Sequence, residues 1–259
     1  MAVPDGAEAR AHCGQRITHN FTLGRNLQDC RGNGLVVRAS NIKIKLTGHT
    51  IDGRRRSNTA GIQLTGVHGV TVQGGVIRQF GRGIWLVRSD DDKILSNRVS
   101  GSVDEGIFTN ESSARPLIKG NSVSWSGTHS RRLWADGIDA RGDGVAVVGN
   151  SIRHSFDDGI DVGGEGSTIR GNRVYRSGQD GIDVDSRGSL VQGNVSTVNG
   201  DDGIGVGRGA SSVTVAGNVA NTNADLGIQP ISGTAIDGGG NHASANGDAR
   251  QCVRIICVP

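Results

Sequence analysis

Apolar residues alternate with polar ones over very short stretches along most of this chain, and helical spacing of apolar positions is nearly absent. In DGIDVG at 158–163, Ile160 and Val162 fall on one side of an extended segment and Asp161 on the other. A second apolar position follows at Ile169 and a third at Val174. Gly, Asn and Ser separate the three. The unit recurs. Gly-Ile pairs begin at Gly61, Gly83, Gly106, Gly137, Gly159, Gly181, Gly203 and Gly227, and three successive intervals are 22 residues. Such a period predicts a solenoid of three short strands per turn, all-β, with strands stacked on their copies at about 4.8 Å. Counting Gly-Ile pairs, with a divergent turn opening at Gly34-Leu35, predicts eight or nine coils in one domain. Residues 1–33 read as an amino-terminal cap, 34–245 as the solenoid and 246–259 as a closing segment.

A further column recurs once per coil: Asn97, Asn121, Asn150, Asn172, Asn194, Asn218 and Asn241, with His49 in the same phase. Asn tolerates left-handed backbone and bonds to its own equivalent one turn away, so the column reads as an internal ladder at a corner. His49 takes the same structural reading.

Composition agrees with a solenoid. The 43 Gly residues follow no three-residue period, which excludes collagen, and Val and Ile recur too regularly for a disordered chain. The formal net charge of +3 is interspersed and requires no anionic partner. No apolar run approaches the length of a spanning helix, and no nucleotide or nucleic-acid motif is evident. The expected state is a monomer. Four cysteines lie at the two ends, Cys13 and Cys30, then Cys252 and Cys257. Neighbour pairing is the simplest of three possible pairings, and a zinc site lacks the usual spacing. Terminal disulfides predict an oxidising compartment, hence secretion. The opening MAVPDG reads as the start of a mature chain behind an added Met.

These recurring GI-x-V and GN-x-V elements resemble the right-handed parallel β-helix superfamily, the single-stranded solenoids of pectate lyases, polygalacturonases and alginate C5-epimerases. The resemblance covers about residues 34–245. CGQRITHNFTLGRNLQDC looks like the amino-terminal cap of secreted members, and QCVRIIC like their closing segment. It implies action on a polysaccharide, uronate-containing for the lyases and epimerases, but a fold does not fix a reaction.

The candidate site comes from two columns. The residue after Gly-Ile points outward and reads Gln63, Trp85, Phe108, Asp139, Asp161, Asp183, Gly205, Gln229. The residue before Gly reads Glu105, Asp136, Asp158, Asp180, Asp202. Asp before Gly is a good turn residue, whereas Asp139, Asp161 and Asp183 occupy strand positions where Asp is depleted. Carboxylates about 5 Å apart repel by roughly 3 kcal/mol at an effective dielectric of ~20, so a bound cation, a raised pKa or an Arg partner is expected. Ca²⁺ on Asp161, Asp183 and Asp202 is one answer. The longest coil carries an insertion with Trp125, His129, Arg131, Arg132 and Trp134, expected to overhang the carboxylates.

Three functions follow. In β-elimination or C5-epimerisation of a uronate polymer, Arg131, Arg132 or Ca²⁺ neutralise the substrate carboxylate and His129 is the base. In glycoside hydrolysis, Asp136, Asp139, Asp158, Asp161, Asp180 and Asp183 supply paired acids. Gln63, Trp85, Phe108 and Trp134 would bind sugar in either case. The Asp-Pro-His-Glu element of the epimerases and the Gly-His-Gly and Arg-Ile-Lys elements of polygalacturonases are absent. The third possibility is a non-catalytic glycan- or calcium-binding solenoid.

Overall fold

The computed structural model describes residues 11–127, 135–231 and 235–259. Strands of mostly three residues wind into a right-handed parallel β-helix, and all three sheets are parallel. The first sheet stacks ten strands from Gln15–Ile17 to Ile228–Pro230, and the second stacks ten from Phe21–Thr22 to Ala235–Asp237. The third stacks eleven, from Leu27–Cys30 to Cys257–Val258. The helix has ten coils where the Gly-Ile column counts eight or nine. Residues before Gly34 wind the first coil, with Gln15–Ile17 pairing along Leu35–Val37 without a Gly-Ile marker. At the other end Cys257–Val258 pairs with Asn241–Ser244.

The core is a stack of mainly Ile, Val and Leu, two from most strands of the first sheet and one from most others, with Ile138, Ile160, Ile182 and Ile204 fully buried in one column. The Gly before each Ile is set by the corner between the third and first sheets. A Cβ on Gly159 would lie 2.2 Å from Val174 Cγ1 and 2.5 Å from the Gly181 carbonyl oxygen, so no larger residue fits.

The Asn column is a buried ladder. Asn172 Oδ1 accepts the Asn150 main-chain N–H at 2.9 Å and Asn150 Nδ2 at 3.0 Å, while its own Nδ2 donates to Val147 O and Asn194 Oδ1. The same bonds recur from Asn97 to Asn241. Left-handed backbone falls on the residue before each Asn, as at Gly149 and Gly171, and the Asn itself supplies the hydrogen bonds. His49 approaches Asn26 Oδ1 at 3.3 Å, in keeping with its structural reading. A second buried column runs five residues later and becomes a hydrogen-bonded ladder from Asn199 onward. Ser102, Ser126, Ser155 and Ser177 give way to Asn199, Asn223 and Asn246, and Asn199 Oδ1 accepts the Ser177 N–H. Disulfides join Cys13 to Cys30 and Cys252 to Cys257, at the two ends of the stack.

Candidate functional site

Strand register decides whether the outward column is real. Gln63 pairs with Trp85, Trp85 with Phe108, and Phe108 with Asp139. Asp139 continues to Asp161, Asp161 to Asp183, Asp183 to Gly205, and Gly205 to Gln229. All eight stand in one file on the outer face of the first sheet.

The file changes character along its length. At one end Gln63 accepts a hydrogen bond from Asn33. The Arg82 guanidinium lies 4.8 Å from the Trp85 ring and 4.7 Å from the Phe108 ring, and it pairs with Glu105. Arg141 lies 5.4 Å from Phe108 and holds Asp139 through Nη2 at 2.8 Å. The two rings therefore carry guanidinium caps, a cation–π arrangement, and are not bare sugar platforms. Asp139 is fully buried, whereas Asp161 and Asp183 are half-buried.

The column before Gly has a structural duty that turn propensity alone does not express. Asp136 Oδ1 accepts the Asp158 N–H, Asp158 Oδ1 the Asp180 N–H, and Asp180 Oδ1 the Asp202 N–H. Asp202 Oδ1 ends the series on the Leu226 N–H. Each carboxyl caps the corner of the next coil. Beyond it, Gly205 leaves room for its neighbours, because a Cβ there would meet Asp180 Oδ2 at 2.3 Å and Asp183 Oδ1 at 3.2 Å.

Burial and mutual repulsion set the protonation of this face. Desolvation, and then Asp161, Asp139 and Asp157, push Asp136 up to about 9. Desolvation, and then Asp136 and Asp180, push Asp158 to about 10. Desolvation leads again for Asp161 and Asp180, both raised to about 8. Desolvation also raises Asp139, but the Arg141 hydrogen bond restrains it to about 6. Asp183 rises to about 6 and Asp202 to about 7, burial being the first cause in each. At neutral pH the face holds protonated carboxyls beside ionised ones. Asp136, Asp139 and Asp161 are the closest expression of this, each offering an oxygen within 4.8 Å of the others.

The sequence matches the family described as "Right handed beta helix region" over residues 106–253, more than half of the chain. The chain belongs to the right-handed β-helix family. Residues 14–129 also match the family described as "Periplasmic copper-binding protein (NosD)". No curated protein matches the sequence. Among solved structures, this β-helix is similar to a variant of the periplasmic alginate epimerase AlgG, with a TM-score of 0.69 and 14% identity, covering 95% of this chain and 70% of that one. The Dettilon tailspike protein gp208 is similar at a TM-score of 0.63 and 16% identity, covering 91% of this chain. This chain spans only 60% of the tailspike. Pectate lyase Pel9A follows at 0.55 and 14% identity, covering 97% of this chain and 67% of that one. At these identities the likeness is one of fold.

Among the described residues the donors do not fit copper. All four cysteines are in disulfides, and no metal-ligating cluster among the described residues includes a His. His49 and His68 instead sit against Asn26 and Asn41. The clusters that do form are all carboxylate, the donor type of Ca²⁺ or Mg²⁺: Asp136, Asp139 and Asp161; Asp136, Asp157 and Asp158; Asp180, Asp201 and Asp202. Asp161, Asp183 and Asp202 do not form one such set. Asp161 and Asp202 belong to different clusters and Asp183 to neither, because two coils separate Asp161 from Asp202.

Of the insertion residues, His129, Arg131, Arg132 and Trp134 lie outside the described residues. Trp125 does not overhang the carboxylates. It sits at the corner after Ser122–Ser124, at φ +58°, with its N–H on Arg153 O and its ring on His154. Sequence reasoning missed Arg82 and Arg141, which hold the aromatic and acidic segments of the file together. Their only signal was an Arg beside a column otherwise made of rings and carboxylates.

Proposed function

We propose that the chain is a secreted, carbohydrate-active β-helix acting on an acidic polysaccharide laid along the outer face of the first sheet. The chemistry is proton transfer between aspartates. Removal or inversion of the proton at C5 of a uronate needs a base, a proton donor, and relief of the substrate's carboxylate charge. Half-buried Asp161, protonated at neutral pH, and half-buried Asp183, ionised on the next coil, provide the donor and the base, and Arg141, 44% exposed beside Asp139, meets the carboxylate of an anionic sugar. One observation carries this reading: accessible carboxyls stacked on adjacent coils of one file, held in different protonation states by burial and by their neighbours. The epimerase and lyase neighbours and the two disulfides agree with it.

The same convergence favours a second reading, glycoside hydrolysis, in which a protonated and an ionised carboxyl flank the scissile bond. Products separate the two. Incubation with alginate and with polygalacturonate is expected to give an ultraviolet-absorbing unsaturated product or a changed epimer ratio. New reducing ends without such absorbance would assign hydrolysis. If neither product forms on any acidic polymer, and Asp161→Asn binds as the wild type does, the protein is a binding module. A requirement for Ca²⁺ is read from the same assay with chelator, with the Asp180, Asp201 and Asp202 cluster as its expected seat.

A further inference from the structure

The outer face of the third sheet carries chemistry that the acidic file does not use. Its register places Tyr175 between Arg153 and Thr197, and Arg173 between Ser151 and Val195. At the corner after this sheet, successive coils present Trp125, His154 and Arg176, all at positive φ. Trp125 is 52% exposed, and its ring stacks on His154 with centroids 4.1 Å apart and planes 9° from parallel. His154 meets Tyr175 edge-on at 6.2 Å, and the Arg176 guanidinium lies 4.9 Å from the Tyr175 ring. An open groove of about 360 Å³ runs beside them, lined by Arg153, Arg173, Tyr175 and Thr197.

This charge is unrelieved. Arg82, Arg115 and Arg141 each pair with a carboxylate, but Arg153, Arg173 and Arg176 have no ion-pair partner among the described residues. The third-sheet strands of these coils, SVS, SIR, RVY, VST and VAN, contain no acidic residue. One side of the rod is acidic, and this side is basic and aromatic.

We propose that this face is a second binding track, for an acidic polysaccharide lying along the rod axis, separate from the site on the first sheet. Guanidinium forks match carboxylates in a bidentate geometry. Arg153 and Arg173 stand on adjacent coils at opposite ends of the strand, and coils rise by about 4.8 Å, close to the length of one sugar unit, so a strand along the axis passes both guanidinium groups. The open face of Trp125 offers a ring on which a sugar stacks. The rings pack against one another, so they lack the series of separate platforms that single-stranded nucleic acid uses. Only the choice of polymer rests on the function proposed above. The track holds a strand whether or not the first sheet turns it over.

The test measures affinity of the full chain for alginate and polygalacturonate, with dextran as the neutral control. It uses the Asp161→Asn protein, so that failure of the catalytic reading leaves the binding result intact. Arg153→Ser combined with Arg173→Ser is expected to weaken binding about tenfold or more and to lower the salt slope by about two. Trp125→Ala should weaken it several-fold. Both variants alter exposed side chains, and unchanged circular dichroism confirms their fold. Wild-type affinity in the double Arg variant would overturn the track, as would equal binding of dextran. Tighter binding of duplex DNA than of either uronate polymer would overturn the assigned ligand.

Discussion

Replacing Asn172 with Ala tests how the solenoid holds its corners. The side chain is completely buried and makes four hydrogen bonds, to Asn150 N–H, Asn150 Nδ2, Val147 O and Asn194 Oδ1. Asn194 Oδ1 keeps the Asn172 main-chain N–H after truncation, and Asn150 Nδ2 keeps Ile118 O. The Asn150 N–H loses its acceptor and Val147 O loses a donor, both away from water. At about 1–3 kcal/mol for each buried group stripped of its partner, the loss is about 2–6 kcal/mol. Urea unfolding should show a midpoint lower by about 1 M or more, with exposed Arg170→Ala as the unaffected control. Asn172→Asp should be at least as damaging at neutral pH, since it keeps the acceptor but places a carboxylate oxygen against Val147 O. A loss below about 1 kcal/mol in Asn172→Ala would refute the ladder as a main source of cohesion.

Other expectations follow from the acidic face and the corners. The raised carboxyls bind more protons folded than unfolded, so their contribution is complete below pH 4 and is lost as pH rises through about 6 to 10, making the protein less stable at pH 9 than at pH 5. Asp158→Asn keeps the acceptor for the Asp180 N–H and removes the ionisation, so it should raise the melting temperature at pH 9 by at least ~2 °C and change little at pH 5; a fall at pH 9 would count against the assignment. Gly159→Ala should prevent folding, because its Cβ meets backbone, whereas Gly205→Ala should fold and lose turnover, because its Cβ displaces only the Asp180 and Asp183 carboxyls. Circular dichroism and activity on one preparation distinguish the pair. Reducing Cys13–Cys30 should cost about 3 kcal/mol, read as a lower unfolding midpoint with dithiothreitol, the bond closing a loop with a sequence separation of 17.

Much of this structure was legible because the chain repeats its own register. Once Gly159 and Gly181 are aligned, Asp161 must stand beside Asp183, and the file follows by counting. Counting failed where the marker changed identity. The coil before Gly34 has no Gly-Ile pair, and the second buried column passes from Ser177 to Asn199, so neither formed a visible column. Side-chain partners were illegible for another reason. Arg82 and Arg141 reach their rings and carboxylates from neighbouring positions, and only coordinates show where a long side chain folds back. Trp125, His154 and Arg176 share a backbone conformation but no chemistry, so their column is invisible in composition. The Asp136 series looked like ordinary turn residues, and its duty to the next coil's N–H needed the stacked geometry.

The measurement closest to the central claim is a pH titration of the aspartate carboxyl carbons by nuclear magnetic resonance, assigned with Asp161→Asn and Asp183→Asn. At pH 7 the account requires Asp136, Asp158 and Asp161 to be protonated while Asp183 is ionised, with midpoints near 9, 10, 8 and 6. Midpoints for all four below pH 5 would contradict it, leaving a charged, solvated edge without the paired acid and base on which the proposed chemistry depends.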